Sequence, residues 1–246
     1  MPFAVVTRDA EAAAPYAAAL AALGLDVVAM PVTRTAPPED PGALVRALER
    51  DGYAAIVVAS ARAAEALLLA RGHAPLPEVW AVGPATARRL AQGHVTALVP
   101  DDVRDGATLA RALVAQRELA GKRVLVPRAE DGRDEAIEIL VKAGVEVDDV
   151  IAYRTVAASD ADPAIMRGRD LLATGQAAVC AVFAPSQVAA LDALAPVRRV
   201  ETRFVAIGET TAAALRGAGA TVAGVAATPT PEGIANAVAS VYPPRR

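Results

Sequence analysis

The chain has 246 residues, 54% of them hydrophobic and 3% aromatic, and a formal net charge of −3. That length buries a sizeable core without metal or disulfide staples, and the lone cysteine, Cys180, cannot form an internal disulfide. No Cys/His cluster has zinc or iron–sulfur spacing, so no metal is expected, and an acidic balance with so few aromatics excludes the basic, stacking-rich surface of a nucleic-acid binder.

Short apolar runs alternate with Ala/Leu-rich helical patterns along the whole chain. A strand is expected at Ala4–Thr7 and a helix at Asp9–Leu23, then a strand at Val27–Val32 and a helix at Pro41–Asp51. Strands at Ala55–Ala59, Val79–Val82 and Thr96–Val99 alternate with helices at Ala61–Arg71, Ala85–Gln92 and Gly106–Leu119. The strand Val124–Pro127, the helix Arg133–Ala143 and the strand Val147–Ala152 follow. Strands at Val179–Ala184, Phe204–Ile207 and Thr221–Val225 then alternate with helices at Gln187–Leu194, Thr210–Gly217 and Pro231–Val241. Several strands are apolar at nearly every residue, which suits parallel strands covered on both faces, and the alternation argues for an α/β fold. Ten strands fit two five-stranded sheets better than one. The longest apolar runs, such as Ala177–Ala184, fall far short of the ~20 residues that span a bilayer, and MPFAVVTRDAE has no basic stretch ahead of an apolar one. The expectation is a cytoplasmic protein without membrane contact.

The chain repeats itself. LGLDVVAMPVTRT (Leu23–Thr35) lies over AGVEVDDVIAYRT (Ala143–Thr155), and VVTR (Val5–Arg8) over LVPR (Leu125–Arg128) at the same offset; AVGPATA (Ala81–Ala87) matches AIGETTA (Ala206–Ala212). A two-fold duplication is the simplest account. Pro and acidic clusters at Thr35–Pro41 (TAPPEDP) and Ala157–Pro163 (AASDADP) read as equivalent linkers. Either each half is one domain, or the halves exchange strands across those linkers.

No Gly-x-Gly-x-x-Gly, P-loop or Gly-x-Ser-x-Gly elbow is present. His73 and His94 fall in loop-like stretches, Cys180 in an apolar strand, and Asp101-Asp102 and Asp148-Asp149 read as solvated turns or strand ends. What remains is a series of polar residues just beyond strand ends, where parallel sheets place their ligands. Arg8, Ser60 with Arg62, Gly83 with Thr86, and Arg128 with Arg133 belong to it. So do Tyr153 with Arg154, Ser186, and Gly208 with Thr210 and Thr211. Helix starts bearing hydroxyls, free N–H groups and arginines attract anions. The series describes a polyanion-binding cleft with one phenol.

These segments resemble the uroporphyrinogen-III synthase family: VTRD at Val6, VASARAAEAL at Val58, VWAVGPATARRL at Val79, PRAEDGRDEAIEILVKAGVEVDDVIAYRT from Pro127, VFAPSQV at Val182, FVAIGETTAAAL at Phe204 and TPTPEGI at Thr228. The resemblance implies two flavodoxin-like domains joined by a two-stranded linker, one of residues 1–34 with 156–246, the other of 35–155, with crossovers near 33–41 and 153–163. It implies dehydration, inversion of the last ring and cyclisation of hydroxymethylbilane, a small linear tetrapyrrole with eight carboxylates, to uroporphyrinogen III. No cofactor is expected. Tyr153, in the family's Tyr-x-Thr position, is the implied general acid, since a phenol is protonated at neutral pH. Ser60 and Arg62 stand at a first serine loop, and Ser186 at its counterpart. Thr86, and Thr210 with Thr211, stand at two Gly-x-x-Thr-type turns, and Arg203 at a usually basic position. Ser60-Ala61 and Ala184-Pro185 depart from the serine–proline pattern, and the second loses a hydroxyl. A monomer is expected, because no long apolar helix face stands out. The alternatives are a non-catalytic two-lobed sensor or carrier of an anionic metabolite, and a module from a larger tetrapyrrole-pathway fusion.

Overall fold

The computed structural model describes residues 2–242. The chain divides into two compact units, one formed by the chain up to Arg34 and from Val156 onward, the other by Thr35–Thr155.

The first unit is built on a five-stranded parallel sheet of β1 (Phe3–Val6), β2 (Asp26–Ala29), β9 (Ala177–Val182), β10 (Arg203–Ala206) and β11 (Val222–Val225). Its order is β11-β10-β9-β1-β2. The helices α1 (Ala10–Ala21), α7 (Pro163–Ala173), α8 (Pro185–Leu194), α9 (Glu209–Gly217) and α10 (Pro231–Val241) belong to it. Alternate residues of each central strand feed opposite cores. Val5, Cys180 and Val182 pack with Ile165, Leu191 and Leu215 on one face. Ala4, Val6, Val179 and Ala181 pack with Tyr16, Leu20, Ile234 and Val238 on the other. Period-two burial on both faces is what makes these strands read as continuous apolar runs.

The second unit carries β3 (Thr33–Ala36), which begins at the unit boundary, together with β4 (Tyr53–Val58), β5 (Glu78–Ala81), β6 (Ala97–Leu98), β7 (Arg123–Ala129) and β8 (Glu146–Ala157) in the order β3-β8-β7-β4-β5-β6. Its helices are α2 (Ala43–Leu48), α3 (Ala61–Arg71), α4 (Gly83–Gln92), α5 (Gly106–Gln116) and α6 (Glu135–Lys142). Ile56, Val58 and Leu125 enter one core, Ala55, Val57, Val124 and Val126 the other. If strands are counted by their place in the sequence repeat, both sheets read second-first-third-fourth-fifth, because β7 and β8 stand to β4–β6 as β1 and β2 stand to β9–β11. Each repeat gives its first two strands to one sheet and its last three to the other.

One expectation is corrected, one helix is added and one alternative is resolved. The second sheet has six strands: the Thr-Arg-Thr-Ala of β3 is polar by alternation, yet it pairs along the edge strand β8 and so satisfies its backbone. After the second linker, where the sequence pattern showed no element, comes α7, started by Pro163 in its first turn and by the Asp162 carboxylate accepting the Ala164 amide at 2.8 Å. Of the two readings of Asp148 and Asp149, turn or strand end, the structure has the second: they lie near the start of the 12-residue β8, and both are ion-paired. No helix among the described residues is long and apolar enough to cross a membrane.

Candidate functional site

At the C-terminal ends of β4, β7 and β8 a cleft of about 410 Å³ opens inside the second unit, lined by Ser60, Asp105, Gly106, Arg128, Arg133, Glu135 and Tyr153 among others. It lies where β7 and β4 adjoin and the chain departs to either side, the switch point at which open α/β sheets bind ligands. The starts of α3, α5 and α6 converge on it, and each presents unpaired N–H groups and a positive dipole end.

Ser60 is extended, with φ −154° and ψ 156°, and its Oγ accepts the Ala63 amide at 3.1 Å, which starts α3. The same Oγ lies 3.2 Å from the Tyr153 hydroxyl. Tyr153 is aimed by a bulge: Arg128 opposes Ile151 and Ala129 opposes Tyr153, so Ala152 has no opposite residue on β7. Its carbonyl accepts the Glu130 amide at 3.0 Å, and its half-buried ring rests against the core that holds Ile56 and Val58.

Two arginines line the cleft in different states. Arg128 donates from Nε and Nη2 to the two oxygens of Asp149 at 2.7 and 2.8 Å and from Nη1 to the Gly132 carbonyl at 2.8 Å. Its Nη2 also lies 3.1 Å from Asp134, and Asp149 holds the guanidinium still more firmly charged. Arg133 is exposed and has no ion-pair partner among the described residues. The Asp105 carboxyl, at the rim, is held below the usual carboxylate range by the Thr108 amide, then the Thr108 hydroxyl, with Arg111 and Arg133 adding to the pull.

Arg62, Gly83 and Thr86 share this end of the sheet but do not line the cleft. Arg62 is exposed in the first turn of α3. Gly83 has φ +72°, a backbone conformation that favours glycine, at the turn from β5 into α4, and Thr86 is buried. Arg154 is tied instead to the linker, its Nε donating to the Pro37 carbonyl at 3.0 Å and its Nη1 standing 3.6 Å from Glu39.

In the first unit, Arg8, Ser186, Gly208, Thr210 and Thr211 gather at the C-terminal ends of β1, β9 and β10. The Arg8 guanidinium lies over Phe183, 4.5 Å from the ring centroid, with Tyr16 at 5.3 Å. Its Nε is buried without a hydrogen-bond partner. Ser186 and Thr210 are exposed, and Thr211 is buried. Arg203 is a correction: it opens β10, at the other end of the strand from Gly208, and so stands apart from this group.

Sequence reasoning missed Gln187. α8 has no side-chain cap at Ala184, and the Gln187 Oε1 accepts the Phe183 amide at 3.0 Å and the Thr7 hydroxyl at 2.7 Å. Its signal was a Gln three residues past a helix start, the reciprocal half of a capping box. The partners of Arg128 gave none, because Asp149 comes 21 residues later.

A family model described as uroporphyrinogen-III synthase HemD matches residues 14–236. Among solved structures, uroporphyrinogen-III synthetase from Helicobacter pylori is 17% identical and similar over 98% of this chain and 99% of that one, with a TM-score of 0.67. A mutant uroporphyrinogen III synthase from Thermus thermophilus is 20% identical over 98% of each chain, with a TM-score of 0.58. At such identities the two structures speak for the fold. No curated protein matches the chain.

Proposed function

The chain belongs to the uroporphyrinogen-III synthase family, cyclising hydro-lyases of tetrapyrrole biosynthesis, and from that premise we propose that Tyr153 is the general acid of its reaction and Ser60 its hydrogen-bond partner. The observation that carries this is the 3.2 Å contact between the two hydroxyls at the mouth of a cleft bounded by three helix starts.

The substrate on this reading is hydroxymethylbilane. Its terminal hydroxyl leaves as water when the lone pair of the adjacent pyrrole nitrogen pushes from behind and Tyr153 gives the departing oxygen a proton. The nitrogen supplies the electrons, so the enzyme needs a placed proton donor rather than a strong base. The Ser60 Oγ, already accepting from Ala63, donates its own proton to the phenolic oxygen. That leaves the Tyr153 O–H directed at the substrate and stabilises the phenolate once the proton has gone. The bridge-bearing α-carbon of the last pyrrole bonds to the methylene that lost the water, and its old bond to the neighbouring methylene then breaks. The free α-carbon closes on that released methylene and loses its proton, which returns to the phenolate as the ring regains aromaticity.

Closure with inversion rather than without it is a matter of holding the chain still. Eight carboxylates offer the handles. Arg133 and the starts of α3, α5 and α6 take those that enter the cleft, with Arg62 at its edge. In the first unit, taken by itself, Arg8 offers a carboxylate site of its own with Ser186 and Thr210 as hydroxyl donors, while Gly83, Thr86, Gly208 and Thr211 shape the turns that present backbone amides. The same reading makes the protein a cytoplasmic monomer acting on one small molecule. Its one cysteine, buried and unpaired, suits a reducing compartment.

The test supplies hydroxymethylbilane, oxidises the products and separates isomers I and III. The wild type yields isomer III. Tyr153→Phe retains its fold by circular dichroism and loses about a hundredfold or more in kcat, within the range of general-acid contributions, with residual activity from positioning. Isomer I at the uncatalysed rate from the wild type refutes the enzyme reading in favour of a sensor or carrier, and undiminished isomer III from Tyr153→Phe refutes the assignment of the acid.

A further inference from the structure

Arg128 was expected to hold a substrate carboxylate, and its place on the cleft wall invites that role. We infer instead that Arg128 is a positioning residue, which locks the loop between β7 and α6 so that Tyr153 and Arg133 point into the cleft. The catalytic consequence rests on the proposed role of Tyr153.

The argument is one of satisfiability. A guanidinium has five N–H groups. Here Nε and Nη2 form a fork–fork pair with Asp149, Nη1 serves the carbonyls of Gly132 at 2.8 Å and Ala129 at 3.5 Å, and Nη2 also stands 3.1 Å from Asp134. Every nitrogen is thus engaged within the protein, on a side chain only 17% exposed. A substrate carboxylate can pair with this guanidinium in a fork only by displacing Asp149, itself a well-placed bidentate partner. Arg133 has no such partner among the described residues and is the cation of this cleft able to meet an anion.

What Arg128 holds is specific. Its Asp149 contact fastens β7 to β8 three residues before the bulge opens at Ala152. Its Gly132 contact closes the turn in which the Gly132 amide donates to the Ala129 carbonyl at 3.0 Å. A Cβ on Gly132 would meet that carbonyl oxygen at 2.9 Å, so the turn is drawn too tight for a side chain. From the same turn the Glu130 amide reaches the carbonyl of Tyr153, and the next residue after Gly132 is Arg133. One guanidinium thus fixes both the peptide that carries the phenol and the loop that carries the free cation.

The test compares Arg128→Met, Arg128→Lys, Asp149→Asn and Tyr153→Phe, alone and paired, on hydroxymethylbilane. A misplaced proton donor costs turnover, by about tenfold to a hundredfold for shifts near 1 Å, and a misplaced Arg133 weakens binding. Arg128→Met and Asp149→Asn therefore each lower kcat by that factor and raise KM to a like extent, and their combination costs no more than either alone. Arg128→Lys, which keeps the charge but not the fork, behaves like Arg128→Met. Added to Tyr153→Phe, Arg128→Met costs less than about threefold further in kcat, since the phenol it positions is gone. A raised KM at unchanged kcat, restored by Arg128→Lys, overturns the inference and makes Arg128 a substrate ligand. So does a full, independent loss on top of Tyr153→Phe. Hydrogen exchange at the amides of Glu130–Asp134 separates this from the Tyr153 reading. Faster exchange in Arg128→Met supports the lock even if Tyr153→Phe keeps its turnover, and unchanged exchange refutes it even if Tyr153 is the acid.

Discussion

Arg8→Met tests whether a cation can be costly in the empty protein and useful in the occupied one. The Arg8 guanidinium makes no hydrogen bond or ion pair among the described residues, and its buried Nε has no partner. A buried, unmatched donor costs about 1–3 kcal/mol. Against that stand two ring contacts, at 4.5 Å from Phe183 and 5.3 Å from Tyr16, each worth about 0.5–1 kcal/mol when partly exposed. Methionine keeps the stem and replaces part of the ring contact by a sulfur–aromatic one of about 0.3–1.5 kcal/mol. The terms sum to anything between a loss of about 0.7 and a gain of about 3.5 kcal/mol, centred on a gain, at about 2–4 °C in Tm per kcal/mol for a chain of this size. With substrate the sign reverses. Losing a hydrogen bond between charged groups costs about 1.5–3 kcal/mol, so KM rises by roughly tenfold to a hundredfold while kcat holds, because the contact is the same in ground and transition states. Thermal melts of the free protein and Michaelis curves for isomer III formation read the two halves. A Tm lowered by more than about 5 °C with KM unchanged refutes the reasoning and makes Arg8 a structural residue.

Ser60→Ala removes the cap of α3 and the partner of Tyr153 together; a cap is worth about 1 kcal/mol, so melts fall by a few degrees, kcat falls, and Ser60→Thr recovers most of both. Gln187→Leu strands the buried Phe183 amide at the start of α8, a loss of about 1–3 kcal/mol measurable by denaturant titration, whereas the Thr7 hydroxyl turns to the Ala181 carbonyl, 3.1 Å away. Burial pushes the Cys180 thiol up to about 12, so a maleimide at pH 8 leaves the folded protein unlabelled and reacts once guanidinium unfolds it. Tyr53 is pushed up to about 12 by burial and by the Asp148 carboxylate that its hydroxyl contacts. Its folded value lies above the unfolded one near 10, so the stabilisation is complete below pH 10 and is lost as pH rises toward 12; Tyr53→Phe flattens that alkaline decline in melts taken from pH 9 to 11.5.

The parts of the fold legible in the sequence are those where local chemistry and burial agree. α3 and α10 begin and end where their patterns do, Ala61–Arg71 and Pro231–Val241, because Ser60 and Thr230 cap them and their neighbours cannot continue them. β3 was invisible because its stability is borrowed: a polar four-residue strand exists only because β8 runs beside it. α7 was hidden by the acidic cluster in front of it, although Asp162-Pro163 is itself a start signal. Ser60, Tyr153, Arg128 and Arg133, read from the sequence as lying at or just beyond strand ends, line one cleft, although β8 runs on past Tyr153 to Ala157. What distinguishes Arg128 from Arg133 was not legible, because it depends on a carboxylate in another strand.

The duplication explains why so much of the site was found. A parallel sheet places every strand's C-terminal end on one edge. Each repeat supplies an arginine at or just beyond the end of its first strand, Arg8 or Arg128, and a third strand followed by a hydroxyl-bearing helix start, Ser60 or Ser186. Exchange sends the first strand of one repeat to lie against the third strand of the other: β7 pairs with β4, and β1 with β9. Arg128 is thereby set in the unit of Ser60, and Arg8 in that of Ser186. The two equivalent arginines have then diverged. Arg128 met a carboxylate and became fixed, whereas Arg8 met two aromatic rings and kept donors unspent. The repeat therefore predicts where an arginine stands, and only its neighbours in the other strands decide whether it builds the wall or meets the ligand.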